Sequence, residues 1–332
     1  MSERTDRPSP IVRSGDLIPA SAAPSEALRL VGEMGDEFSG LGIDWGVSDS
    51  RSLAETIRAG TFSGLLWVGP KDEAIGLAWP AKFECELGHR VDAYLSRGYR
   101  STSSLGAFID RLDAPGGFPP LVSVTDPWPG VTAAEGDLAF GPRGYQFVQR
   151  LSMRFPAEAG LPTPGATGVT VRPLTIEDEP KVVRLLWAAY DDNPVERALF
   201  VRHRDRGQDM AWGARLLLHG ELGPWLSDAS FTIPADSLLA AATIVNRFHG
   251  VLITEVVTHP EHRRRGYAER LLVETIKAVR ANGWEPPRLV VTRQNERAFR
   301  LYERLGFRTI PGDTGGVWLH RERLGIPTHP VG

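Results

Sequence analysis

The stretch Thr258-His-Pro-Glu-His-Arg263-Arg264-Arg265-Gly266-Tyr267-Ala268 decides the fold through what stands on either side of it. Upstream, Val251-Leu-Ile-Thr-Glu-Val-Val-Thr258 is β-branched and nearly continuous, which predicts a central strand covered on both faces. Downstream, Ala268, Leu271, Leu272, Ile276 and Val279 recur at helical spacing, and Asn282-Gly283 supplies a stop. A strand that passes into a helix through small residues turns several backbone N–H groups one way. Together with the helix dipole these make an anion site. Gly266 and Ala268 let phosphate oxygens approach the backbone, and three arginines add charged donors, so the expected ligand is a pyrophosphate. By itself the stretch would also suit a basic solvated loop ahead of a helix.

Around this centre the second half of the chain reads as alternating elements. Strands are predicted at 169–172, 227–233, 238–246 and 289–292, with closing strands at 307–310 and 317–320. Helices are predicted at 176–190, at 195–218 and at 296–305.

Two motifs in this half resemble those of the GNAT family of acetyl-CoA-dependent N-acyltransferases. The first is Arg/Gln-x-x-Gly-x-Gly/Ala after a central strand, filled here by Arg263, Gly266 and Ala268. The second is Asn-x-x-Ala-x-x-Leu-Tyr-x-x-x-Gly-Phe, filled by Asn295, Ala298, Leu301, Tyr302, Gly306 and Phe307. The resemblance covers residues 169–325 and implies a mixed, mostly antiparallel central sheet flanked by helices, of the α/β (α+β) class. It implies acetyl-CoA as co-substrate, with the backbone of Val256, Val257 and Thr258 along the pantetheine arm. The pyrophosphate would lie on Arg263, Arg264, Arg265, Gly266, Tyr267 and Ala268, with Asn295 and Tyr302 completing the cofactor set. Tyr302 occupies the family's place for the acid that protonates the departing sulfur. Phe299, Tyr302 and Leu305 also share a helical stripe, so a core aromatic is the alternative.

An amine must lose a proton before it attacks a thioester, which calls for a base. Glu255 lies three residues before Thr258 and alternates with Val256, so it could face the acceptor cleft. The alternatives are a carboxylate paired with an arginine, a water relay, or an acceptor arriving neutral. Some relatives carry a glutamate on the next strand, where this chain has Val290. His259, before a proline in a turn, reads as an exposed loop residue.

The first half carries a weaker echo. Residues 93–100 align with 256–263 at an offset of 163, and Gly144-Tyr145 echoes Gly306-Phe307 at 162. Two landmarks that agree within a residue predict an internal duplication. At offset 163, Gly266 falls on Ser103 and Ala268 on Leu105, and no Asn-plus-Tyr pair remains. The expected organisation is two tandem GNAT folds: a degenerate, non-catalytic one over 1–155, a Pro/Gly-rich linker over 156–168 and the acetyltransferase over 169–325.

Composition narrows the partners. The chain has 332 residues, 38 basic against 41 acidic side chains and a formal charge of −3, which gives no global field for nucleic acid or anionic lipid. Arg202-His-Arg-Asp-Arg206 reads as a solvated helix face rather than a nucleic-acid contact. With Cys85 alone and no histidine at ligand spacing, neither a disulfide framework nor a metal is expected. No apolar run suits a signal peptide or a bilayer span, so the expected location is the cytoplasm. Trp187, Trp212 and Trp225 are either core anchors or walls of an acceptor pocket. The expected function is an enzyme, a GNAT acyltransferase acetylating a primary amine of a small molecule in a ternary complex, as a monomer or homodimer. A peptide or protein amine acceptor is one alternative, and a non-catalytic acyl-CoA-binding regulatory protein is another.

Overall fold

The computed structural model describes residues 15–41, 44–81, 85–126, 131–163, 168–191 and 193–326. The Trp-Pro-Gly turn at 127–130, residues 164–167 of the expected linker and the N-terminal segment 1–14 lie outside them.

The N-terminal half runs β1 (Leu17–Pro19), α1 (Pro24–Gly40), α2 (Asp44–Arg58), β2 (Leu65–Val68), β3 (Ala74–Pro80), β4 (His89–Leu95), α3 (Thr102–Leu112), β5 (Leu121–Asp126), α4 (Ala133–Phe140) and β6 (Tyr145–Arg154). The C-terminal half repeats that order: β7 (Arg172–Pro173), α5 (Glu179–Tyr190), α6 (Pro194–Phe200), α7 (Arg206–Leu218), β8 (Phe231–Ala235), β9 (Leu238–Arg247), β10 (Val251–Thr258), α8 (Tyr267–Ala281), β11 (Arg288–Thr292), α9 (Glu296–Leu305) and β12 (Arg308–His320). Helix α6 is the addition. Strands β4 and β10 end 163 residues apart, as Leu95 and Thr258, and β6 and β12 begin 163 apart, as Tyr145 and Arg308.

Among the described residues, all twelve strands form one sheet, in the order β1-β2-β3-β4-β5-β12-β6-β11-β10-β9-β8-β7. Of these pairs, only β4·β5 and β10·β11 are parallel. The last strands are exchanged. β6, from the N-terminal half, pairs β11, and β12 pairs β5, while β6 and β12 run antiparallel through the centre with Val148 opposite Val317. The sequence sets the two halves apart at the expected linker, 156–168, but hydrogen bonding runs across both of them. Close approach at the centre demands glycine: a Cβ on Gly316 would overlap the Phe147 ring.

Helices cover both faces. On the C-terminal half, α8 and α9 bury Leu272, Ile276, Val279 and Leu305 against one face. On the other, α5 and α7 bury Val182, Leu185, Leu186 and Ala214. The spacing of apolar residues explains both, since each helix presents one stripe to the sheet. No helix among the described residues is long and apolar enough to cross a membrane.

Four sequence expectations change. The helix over 195–218 is two helices, broken at 201–205 and restarted by Asp205, whose side chain accepts from Gly207 N at 2.9 Å. The break is set by tertiary contact: Arg90 of β4 donates to the carbonyls of Ala198 and Val201 at 3.0 and 2.6 Å. Arg202 is therefore no solvated helix face. Burial, with the like charge of Arg90 beside it, pushes its guanidinium down to about 9. Strand β7 is only Arg172–Pro173, and the two closing strands are one, β12, with a register break between Thr309 and Thr314.

Candidate active site

Strands β10 and β11 pair only at Leu252↔Arg288 and Ile253↔Leu289, then part. Val256, Val257 and Thr258 keep their partners on β9, Thr243, Ala242 and Ala241, and have none on β11. An edge of strand N–H and C=O groups thus lines an opening between two parallel strands, where an extended amide chain could pair. In the N-terminal copy the corresponding strands stay paired as far as Asp92↔Thr125.

A bulge decides which way Glu255 points. Ile253 stands opposite Val245 and Glu255 opposite Ile244, so Thr254 is the extra residue. Its hydroxyl lies 3.0 Å from Ile244 O and 2.9 Å from Asn246 Oδ1. An inserted residue inverts the alternation of a strand. Val251, Ile253 and Val256 accordingly pack on the α8–α9 face, and Val257 packs on the α5–α7 face. Glu255 joins Val257's side, where the Tyr190 hydroxyl donates to its Oε2 at 2.8 Å.

Beyond β10 the chain turns through Pro260–His262 and extends at Arg263. It then takes positive φ at Arg264 (66°) and Gly266 (74°) before α8 begins. Gly266 is the N-cap and no side chain caps the helix, so the first-turn amides lack the usual side-chain acceptor. Arg264 and Arg265 are exposed, while Arg263 ties the loop to α5 through Ala189 O at 3.2 Å. Tyr267 packs near His262, with ring centroids 6.3 Å apart, and Ala268 follows in the first turn. A small, uncapped, doubly left-handed turn with flanking arginines fits the pyrophosphate of a coenzyme A.

The copy shows what closing such a turn looks like. Ser96 (φ −52°, ψ 137°) repeats the geometry of His259 (−54°, 136°), but helix α3 then starts two residues sooner. Gly266 therefore corresponds to Ser101 and Ala268 to Ser103, rather than to Ser103 and Leu105 as a fixed offset of 163 requires. Ser101 caps its own helix, accepting from Ser104 N at 3.2 Å, and Leu105 is core.

Tyr190 from α5 is hydrogen-bonded to Glu255, and the charges of Glu196 from α6 and Arg150 from β6 act on it, while Tyr302 from α9 feels its charge in turn. Burial pushes the Glu255 carboxyl up to about 7; the Tyr190 hydrogen bond and Arg150 oppose this, and Glu196 adds to it. Burial, then the charge of Glu255, holds the Tyr302 phenol above its ordinary range. The Tyr302 hydroxyl makes no hydrogen bond among the described residues, and its ring packs 6.0 Å from that of Phe307. Asn295 serves the helix it precedes, its Oδ1 capping α9 through Ala298 N at 3.2 Å. His259 accepts from Glu261 N at 3.4 Å within the turn.

Sequence reasoning singled out Glu255 and Tyr302 and missed three residues. Tyr190 could have been found as the aromatic end of the α5 stripe. Glu196 sits in the first turn of α6, and Arg150 reaches the site only through strand exchange. Of the tryptophans, Trp187 is exposed and lines a shallow pocket with Tyr190, Asp191, Arg197 and Met210. Trp212 lies under Arg202, and Trp225 donates to Ser230 Oγ at 2.9 Å.

Residues 235–318 match the family model described as FR47-like protein, a segment containing Glu255, the α8 turn and Tyr302. No curated protein matches the sequence. A GCN5-related N-acetyltransferase from Sphaerobacter thermophilus is similar in structure, with TM-score 0.58 and 17% identity over 91% of this chain and 94% of that one. An acetyltransferase of the GNAT family from Colwellia psychrerythraea follows, with TM-score 0.48 and 12% identity over 92% and 98%. Likeness of the first kind across nearly the whole of both molecules fixes the architecture. The chain thus has the GNAT acetyltransferase fold, and its FR47-like segment is the part that carries Glu255 and the open turn of α8.

Proposed function

We propose that this protein transfers an acetyl group from acetyl-CoA to the primary amine of a small molecule, by direct attack with both substrates bound. The observation that carries this is Glu255, held by Tyr190 on the strand β10 that parts from β11 and leads to an uncapped helix start, with the buried Tyr302 phenol within the influence of its charge. Glu255, with its ionisation near neutrality, takes a proton from the nitrogen of the neutral amine as it attacks. The nitrogen lone pair forms the C–N bond, and the C–S bond breaks. Tyr302, kept protonated by its surroundings, returns a proton to the thiolate. Solvent carries a proton from Glu255 back to Tyr302, so the sum is amide plus free thiol.

The N-terminal copy keeps an acid at the matching place, Asp92, also pushed up to about 7, first by burial and then by Asp49. At the position 163 residues before Tyr302 it has Ala139, which has no proton to give. It therefore acts as scaffold. Thiol release from acetyl-CoA across amines, polyamines, aminoglycosides and peptides tests the proposal. Turnover with a small amine that collapses in Tyr302→Phe supports it. A preference for peptides moves the acceptor class, and binding of acetyl-CoA without any turnover makes the chain a sensor.

A further inference from the structure

Strand β6 belongs to the N-terminal half, but its neighbours are β11 and β12. Arg150 on β6 stands opposite Thr292, the last residue of β11. Its Nη1 donates to Thr292 Oγ1 at 2.7 Å and lies 3.5 Å from Glu196 Oε2. The Glu196 side chain is 12% exposed, and its backbone is fixed by Asn193, whose Oδ1 accepts from Glu196 N at 3.2 Å. A cation of one half is thus pinned between α6 and the end of β11 of the other. The groups acting on Glu255 are Tyr190 from α5, Glu196 from α6 and Arg150 from β6, and Tyr302 on α9 feels its charge in turn. Arg150 is the cation in this set. Without it, the charge of Glu196 would act on Glu255 unopposed by a cation of this set, and the Glu255 carboxyl would hold its proton more tightly.

We propose that Arg150 is a positioning residue of the candidate active site in the opposite half, holding Glu196 and the end of β11 and bringing a positive charge to the opening on which Glu255 borders. This rests on Glu255 being the base, as proposed above. It makes the N-terminal copy indispensable to the reaction, because strand exchange is what delivers Arg150.

The test is a carboxyl titration of the full chain without ligand, by NMR on protein labelled with side-chain 13C-glutamate, with the Glu255 signal identified by its loss in Glu255→Gln. The wild-type midpoint is expected at about 7. In Arg150→Met it should rise by about one pH unit. Arg150→Lys should restore at least half of that shift, and Glu196→Gln should move the midpoint the other way. A midpoint unmoved in a folded Arg150→Met, or equally displaced in Arg150→Lys, overturns the proposal. If Arg150→Met does not fold, a Glu196→Gln midpoint that fails to fall overturns it instead. Acetyl-CoA turnover by the wild type remains a separate readout. A Glu255 that follows Arg150 in a protein releasing no thiol would remove the enzyme and leave this linkage standing.

Discussion

Glu255 sits where a carboxylate is costly, and that cost underlies the base role proposed for it. Its ordinary value is 4.5, and in the folded chain it titrates at about 7. Between those values the folded state holds the proton more tightly than the unfolded chain does, so stability falls as pH rises through that window and is flat above it. Glu255→Gln has no such loss. It should unfold at higher urea than wild type at pH 8, by about 3 kcal/mol, with the gap closing toward pH 5. The same variant should lose about 100-fold or more in kcat. Wild-type kcat/KM should climb with pH through about 7 as the base form appears. Tyr190→Phe removes a donor to the charged form, so that climb should move to higher pH. A Glu255→Gln protein that is both active and unchanged in stability would dismiss Glu255 as a strained base.

At the scale of elements, the two helix starts are a natural experiment. Helix α3 is closed by Ser101, whereas α8 begins at Gly266 with its amides open. Ser101→Ala should cost about 1 kcal/mol in urea unfolding and leave the acetyl-CoA Kd unchanged. Gly266→Ala forces a Cβ into left-handed geometry, costing about 1 kcal/mol, and should also raise that Kd about tenfold by calorimetry. Equal effects of the two variants on Kd would mean that α8 holds no phosphate. Elements such as β10, α8 and α9 are legible in the sequence because each carries its own period and its own stop, as Val251–Thr258 and Asn282-Gly283 do. The break between α6 and α7 is not, since it answers to Arg90, more than a hundred residues away, and apolar spacing continues across it. Nor is the bulge at Thr254, which has no glycine to announce it and yet sets the face on which Glu255 works.

For the whole molecule, the duplication was written in the sequence, but the exchange of last strands was not. Alternation along β6 states that it is a strand with two faces and says nothing of which edges it joins. That is why Arg150 carried no signal, although its charge acts on the candidate base. The exchange has a mechanical consequence. Both hydrogen-bonded neighbours of β6 are C-terminal strands, and β12 in turn is held between β5 and β6. A half folded alone would therefore leave long strand edges open at what is now the centre of the sheet. Cutting the backbone after Leu161, through an engineered protease site, should leave a single particle in gel filtration and one cooperative urea transition. The same halves made separately should be aggregated or unfolded, and should regain acetyl-CoA binding only when refolded together. Two soluble, independently unfolding halves that drift apart after the cut would show that the exchanged strands do not hold the molecule together. Retention of activity by the C-terminal half alone would go further, because that half contains no Arg150.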